Sequence, residues 1–234
     1  MQPEHNNPFA EGKALLINKP LHWTSFDVVR KIRSTIKIKK VGHAGTLDPL
    51  ATGLLIVCTG KFTKKINEYM SREKEYTGSF TLGASTPTYD LESEPENFRD
   101  YNHITENQLH EATKQFTGQI QQIPPAHSAI KQDGKRVYEM ARKGMAVKLE
   151  PRTLFIKEFT ITDIELPKLY FKVVCSTGTY IRSLAHDYGN VLGCGAYLSS
   201  LCRTRIGEFT LENAMSMEGF QEMAEEMKQQ SGKK

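Results

Sequence analysis

Apolar positions along the chain recur with two periods, and each period marks one kind of element. Residues 14–18 read as a short buried strand that Lys19 and Pro20 end. Val28, Val29, Ile32 and Ile36 then return at helical spacing behind Thr24 or Ser25 as the cap, which leaves Arg30, Lys31, Arg33 and Lys37 mainly outward. Residues 54–59 predict a strand, 62–70 a short helix and 76–82 another strand, whereas 86–103 has no period and reads as loop. Thr105 and Gln108 form a capping box for a helix carrying Leu109, Ala112 and Phe116, closed by Gly118. Ile123-Pro124-Pro125 breaks that pattern. The stretch up to Arg152 has little apolar content beyond a short helix near 137–141, so it reads as a protruding insertion. Residues 154–166 and 169–176 predict strands; in the second, Leu169, Phe171, Val173 and Cys175 alternate against Tyr170, Lys172 and Val174. Thr179 then starts a helix bearing Ile181, Leu184, Ala185 and Tyr188. Strands and helices mix without a βαβ rhythm, which predicts an α+β fold, and no internal repeat is visible.

Composition changes this picture little. With 38% hydrophobic and 25% charged residues the 234-residue chain is ordinary globular material, long enough for one large domain or two small ones, and its bulk is not disordered. Its longest purely apolar run is 54–58, against the roughly 20 residues a membrane helix needs. The polar N-terminus lacks the pattern of a secretory signal, so a cytoplasmic protein is expected. Cys58, Cys175, Cys194 and Cys202 form no C-x-x-C pair and have no companion histidines at zinc spacing, so neither a metal site nor a disulfide framework is expected.

Charge is more informative. The net +4 hides a basic block at 30–40, with six basic residues and no acid, and a second at 131–152, with seven basic against three acidic. Residues 86–111 carry seven acidic against one basic. Basic patches flanking an acidic strip suit a polyanion such as nucleic acid, although a solvated helix face plus an exposed loop accounts for the charges equally well.

Residues 42–53, GHAGTLDPLATG, are dense in glycine yet match neither G-x-x-x-x-G-K-[ST] nor G-x-G-x-x-G, which disfavours a nucleotide-phosphate cradle. Neither a G-x-S-x-G elbow nor an H-E-x-x-H pair is present, so the usual serine and zinc hydrolase readings lose support. Asp48 stands alone among these glycines with Pro49 after it. Proline biases Asp48 toward extended geometry and the glycines let the chain bend, which is one way to aim a single carboxylate. A structural aspartate in a tight turn has the same signature. An aspartate near its reference pKa of ~3.9 is ionised at neutral pH and can act as nucleophile or base.

The same stretch resembles the catalytic loop of the tRNA pseudouridine synthase B (TruB) family, whose members isomerise uridine 55 in the T-loop of tRNA. Other segments resemble the family in order. Lys19-Pro20 with Thr24-Ser25 is similar to its K-P-x-G-x-T-S opening, and Gly60 with Thr63-Lys64 to the segment after its catalytic strand. Lys74-Glu75-Tyr76, Leu82-Gly83 and Thr86 resemble its tyrosine strand. Ile123-Pro124-Pro125, Ser128-Ala129, Lys131, Gly134-Lys135, Tyr138 and Ala141-Arg142 resemble its RNA-gripping thumb. Cys175-Ser176, the run Gly178-Thr179-Tyr180-Ile181-Arg182, Leu192-Gly193 and Gly195-Ala196 complete the likeness, which covers residues 14–214. Three departures stand out: His22 replaces a usual glycine, His127 replaces a usual tyrosine, and the chain ends 20 residues after Ala214, without the C-terminal RNA-binding module of many members.

The resemblance implies a pseudouridine synthase fold: a mixed, mostly antiparallel sheet flanked by helices, with the thumb inserted. It implies a flexible segment at 1–13, a catalytic domain at 14–215 with its thumb at about 123–152, and a short tail at 216–234 with no full PUA-like domain. Asp48 is the implied essential carboxylate, Tyr76 a stacking platform with a part in removing the C5 proton, and Arg182 the guanidinium that pairs with Asp48. His43, Tyr180, Leu201, Lys19 and Lys64 are the implied substrate contacts. Arg30, Lys31, Lys131, Lys135, Arg136, Arg142 and Lys143 are the expected RNA-binding residues. The implied enzyme is a monomer that needs no cofactor, metal, membrane or obligatory protein partner and acts on the T-stem-loop of tRNA. Two other readings use the same grip: an RNA-binding module without catalysis, which the intact Asp48, Tyr76 and Arg182 set disfavours, and a guide-RNA-dependent relative, which typically carries additional terminal regions. A metal or nucleotide hydrolase would answer to a chelator or to nucleotide, and no motif asks for either.

Overall fold

The computed structural model describes residues 7–126, 128, 131–132, 135–136 and 149–231. In chain order the elements are α1 (Pro8–Glu11), β1 (Ala14–Lys19), α2 (Ser25–Ile36), β2 (Val41–His43), β3 (Ala51–Thr59), a 3-10 turn (Gly60–Lys65) running into α3 (Ile66–Met70), and β4 (Lys74–Leu82). There follow α4 (Glu106–Lys114), β5 (Gly118–Gln122), β6 (Lys131–Gln132), β7 (Lys135–Arg136), β8 (Arg152–Glu165) and β9 (Lys168–Cys175). The last are α5 (Ile181–Val191), β10 (Ala196–Ile206), β11 (Phe209–Thr210) and α6 (Met217–Ser231). This is the α+β architecture that the sequence predicts. The chain divides into two compact units, one made of Met1–Tyr76 with Cys202–Lys234 and the other of Thr77–Leu201.

The first unit is built on β3, whose run from Leu54 to Cys58 is buried throughout. β1 pairs with it antiparallel from Ala14↔Cys58 to Lys19↔Gly53, and β2 from Val41↔Thr59 to His43↔Val57. The capping box of α2 is complete: the Thr24 hydroxyl accepts from Asp27 N and the Asp27 carboxylate accepts from Thr24 N. The four apolar residues of α2 at helical spacing, Val28, Val29, Ile32 and Ile36, all lie in the core. α6 adds Met217, Phe220 and Ala224 to that core, and Phe220 meets the ring of Phe9 edge-on at 6.5 Å.

In the second unit β9 pairs antiparallel with β8, and β8 with β5. Its centre is aromatic: Phe80 stacks on Phe171 at 4.2 Å, and Tyr188 packs against Phe80 and Phe159 while its hydroxyl donates to Leu109 O at 2.8 Å. The Thr105–Gln108 capping box of α4 is present. Three details differ from the sequence reading. Gly118 does not end the helix but opens β5 with a positive φ of 91°. Phe116 lies beyond the end of α4 and packs against Phe159 and Tyr188. Tyr180, not Thr179, caps α5, because the Thr179 hydroxyl turns back to donate to Ser176 O.

Of the expected thumb, β6 and β7 pair from Lys131↔Arg136 to Gln132↔Lys135, and for Lys131, Lys135 and Arg136 the description is of the backbone. The helix expected near 137–141, His127, Ala129, Gly134, Tyr138, Arg142 and Lys143 lie outside the described residues.

Candidate active site

Asp48 opens a tight turn: its carbonyl accepts from Ala51 N at 3.1 Å, with Pro49 at the position where a fixed φ is favourable. Three buried side chains brace this turn. Ser25, at the start of α2, accepts from Leu47 N at 2.8 Å and donates to Leu47 O at 3.1 Å, tying the helix to the residue before Asp48. Lys19, at the end of β1, is 0% exposed and its Nζ donates to Trp23 O at 2.5 Å, Pro20 O at 2.9 Å and Pro49 O at 3.5 Å. Arg203, in β10 and 1% exposed, donates from Nε to Leu54 O at 2.8 Å and from its two terminal nitrogens to Gly45 O at 3.1 Å and Thr46 O at 3.4 Å. One guanidinium thus holds both arms of the loop. Gly53 permits it: φ is 102°, and a Cβ there would stand 2.4 Å from Arg203 O. His22 takes the place of the family's usual glycine with a left-handed φ of 65°, and its N donates to Pro49 O at 2.8 Å, so the turn survives that departure.

The amine expected to contact the substrate, at a phosphate or in the pocket, is turned inward: Lys19 supports the Asp48–Pro49 backbone. Burial pushes its pKa down from 10.5 to about 8; the Asp48 carboxylate opposes that shift and the Arg203 charge reinforces it. The unfolded amine holds its proton to about 10.5 and the folded one releases it near 8, so within that window the unfolded chain binds more protons and stability rises with pH. Relative to Lys19→Met, the parent chain should gain up to about 3 kcal/mol across this window, read from urea unfolding at its two ends. A difference that does not change with pH would show that the amine is not held inside.

His43, half-buried on β2, has its pKa lowered by burial and by the charge of Arg203, against the opposing pull of a hydrogen bond to the Gly45 backbone. Tyr76 lies in β4 and is 8% exposed; Leu201 is half-buried in β10; Lys64 is exposed on the 3-10 turn. On α2, Arg30 is exposed and pairs with Asp27 at 2.7 Å, and Lys31 is half-buried. An exposed pair of this kind is worth about 0.2–1 kcal/mol, so it holds the Arg30 side chain only weakly.

In the second unit Arg182 occupies the first turn of α5 and is 5% exposed. It donates from Nη1 to Thr88 O at 3.3 Å, and its Nε lies 3.6 Å from the buried Asp90 carboxylate. The backbone of Tyr180 is clamped from both sides by Gln122, whose Oε1 accepts from Tyr180 N at 2.9 Å and whose Nε2 donates to Tyr180 O at 3.1 Å. Gln122 thereby fixes the approach to α5 two residues before Arg182. Asp90, Gln122 and Arg203 carry no motif, and sequence reasoning missed all three; each acts on a partner remote in sequence. The expected site residues are divided: Lys19, His43, Asp48, Lys64 and Tyr76 belong to the first unit, and Tyr180, Arg182 and Leu201 to the second. Among the described residues, no three His, Cys, Asp or Glu side chains converge as a metal site would require, and no helix is long and apolar enough to cross a membrane.

Residues 33–181 match the family described as TruB family pseudouridylate synthase (N terminal domain), and residues 182–234 match the tRNA pseudouridylate synthase B C-terminal domain. The chain is 52% identical over 229 residues to the tRNA pseudouridine synthase B of Flavobacterium johnsoniae, covering 95% of this chain and 99% of that one. It is 51% identical over 220 residues to the protein of the same name from Phocaeicola vulgatus, covering 92% and 94%. Among solved structures, the crystal structure of a Cbf5-Nop10-Gar1 complex superposes with a TM-score of 0.73 at 30% identity. That match covers 94% of this chain and 56% of the other, so this chain spans little more than half of that one.

Proposed function

The chain belongs to the TruB family of pseudouridylate synthases, and from that premise we propose that it converts uridine to pseudouridine at position 55 in the T-loop of tRNA, with Asp48 as the essential carboxylate. It is a pseudouridine synthase, and its relatives' names support tRNA as the substrate. The observation that carries the finer reading is the bracing of the Asp48 turn by Ser25, Lys19 and Arg203, which holds one carboxylate in a fixed place with the Lys19 amine within its electrostatic reach. Such preorganisation removes the reorganisation cost of the chemical step.

The reaction breaks the bond from ribose C1′ to N1, turns the base, and joins C1′ to C5; N1 gains a proton and C5 loses one. The product is an isomer, so electrons balance within the substrate. Asp48 acts on the ribose, as nucleophile at C1′ or as the base that starts an elimination, and both routes use the ionised carboxylate. Arg182 pairs with it and holds it oriented, a two-edged grip that fits a planar guanidinium. The base must leave its stack at a cost of a few kcal/mol, which stacking on Tyr76, worth ~1–3 kcal/mol, offsets. Tyr76 also takes part in removing the C5 proton. Tyr180 and Leu201 line the base, and His43 helps hold the everted loop. Lys64, Arg30, Lys31 and the thumb residues Lys131, Lys135, Arg136, Arg142 and Lys143 meet phosphates, in keeping with recognition of a folded RNA loop by shape and backbone.

The protein acts in the cytoplasm as a monomer without a protein or guide-RNA partner. Purified protein should therefore convert the target uridine of a bare T-stem-loop transcript, and should leave the same transcript unmodified when cytidine replaces that uridine. Conversion only after adding a guide RNA or a second protein would move the chain to the guide-dependent mode and overturn this reading.

A further inference from the structure

The segment of residues 86–93 has no strand or helix period, yet it is held firmly from within. The hydroxyls of Thr86 and Thr88 both donate to Asp90 O, at 2.8 and 3.2 Å, and Leu198 N donates to Tyr89 O at 2.9 Å. Tyr89 itself has a left-handed φ of 64°. For an aromatic side chain this conformation costs about 1–2 kcal/mol, so something must hold it there. The ring of Tyr89 lies flat on the ring of His186, with centroids 4.0 Å apart and planes inclined by 17°. Such a stack is worth about 0.5–1.5 kcal/mol beyond the area it buries, comparable to the backbone strain.

His186 sits four residues after Arg182 on α5, so the two side chains share a face of the helix. α5 therefore grips the segment at two points one turn apart: His186 on Tyr89, and Arg182 on Thr88 O and the Asp90 carboxylate. Asp90 is the next residue after the strained one, so the backbone rotation at Tyr89 decides where its carboxylate points. Burial lowers the pKa of His186, and the stacked ring is neutral at neutral pH, adding no second cation beside Arg182.

We propose that Tyr89 and His186 are positioning residues for the isomerisation: their stack keeps Tyr89 left-handed, which sets Asp90 against Arg182 and fixes the guanidinium that the reaction uses. The proposal rests on the reading of Arg182 given above. It requires a flat ring at position 186 and no proton chemistry there.

Steady-state kinetics on a tRNA transcript test it with four variants of the full chain. His186→Ala and His186→Leu should each lower kcat on the order of 10- to 100-fold with KM nearly unchanged, the size of loss expected when a supporting residue lets a catalytic group drift. The leucine variant fills the space without a flat face, so it reports on the stack even if the alanine variant folds poorly. His186→Phe should restore kcat to near the parent value. Wild-type kcat in His186→Leu, or a His186→Phe as slow as His186→Leu, would overturn the positioning role. Arg182→Lys separates the two layers: if it is inactive while the His186 variants turn over normally, only the positioning role fails; if it is fully active, the assignment of Arg182 fails and there is nothing to position.

Discussion

Replacing Asp48 by Asn is expected to lower the rate of pseudouridine formation by at least about 10³-fold, the scale seen when an enzyme loses its essential nucleophile or base. The amide is nearly the same size but can neither attack C1′ nor take a proton from the ribose. The turn that carries it should persist, because its backbone is held by Ser25 on Leu47, Lys19 on Pro49, Arg203 on Gly45 and Thr46, and the Asp48 carbonyl on Ala51 N. Unfolding temperature and affinity for tRNA should therefore stay close to the parent values while product disappears. One electrostatic side effect follows. Asp48 raises the pKa of Lys19, so its neutralisation should lower that pKa further. Turnover by the Asn variant at the parent rate would remove Asp48 from the mechanism.

Arg182→Lys is expected to cost about 10²- to 10³-fold in kcat with little change in KM. The buried guanidinium already spends one nitrogen on Thr88 O and faces Asp90 with another, and the role proposed for it in catalysis asks for the planar fork as well. A lysine ammonium also has three donors, as Lys19 shows, but all on one nitrogen, so it cannot reproduce the separated, coplanar donors of a guanidinium. Lysine is a better replacement than methionine, which would leave the Asp90 carboxylate buried without its counter-charge at a cost of about 3–5 kcal/mol and confuse misfolding with lost chemistry. Measuring kcat and KM beside a denaturation curve separates the two effects. Parent-like kcat in the lysine variant would show that the guanidinium geometry is not used.

The elements that the sequence announced were those with a strong local period or a local cap. α2 is one, with four apolar residues at helical spacing behind Thr24, and α4 another, with Thr105 and Gln108 closing its start. β5 was hidden because its sequence, Gly118–Gln122, holds one apolar residue, Ile120; it is a strand by virtue of its antiparallel pairing with β8. β10 was hidden in a similar way, since Ser199, Ser200, Arg203 and Arg205 break any alternation that its apolar residues would display. In the candidate site, glycine and proline punctuation drew attention to Asp48, but a structural turn has the same signature, and it was the resemblance to the family that singled the residue out. The groups that brace it were not legible: Arg203 reads as one more surface cation until three backbone carbonyls, two of them more than 150 residues away, are found around it. Asp90 sits in an acidic run that looks wholly solvated, and only the fold reveals that its buried carboxylate faces Arg182. A motif can name the reacting group, but support supplied by distant backbone leaves no pattern in the chain.

Single-turnover conversion of one tRNA transcript by saturating parent protein and by Asp48→Asn, with pseudouridine mapped by position, tests most directly whether a single braced carboxylate drives the isomerisation. The expected outcome is conversion at the T-loop uridine alone by the parent, and bound but unconverted RNA with the Asn variant. Pseudouridine accumulating at comparable rates with both proteins would contradict it.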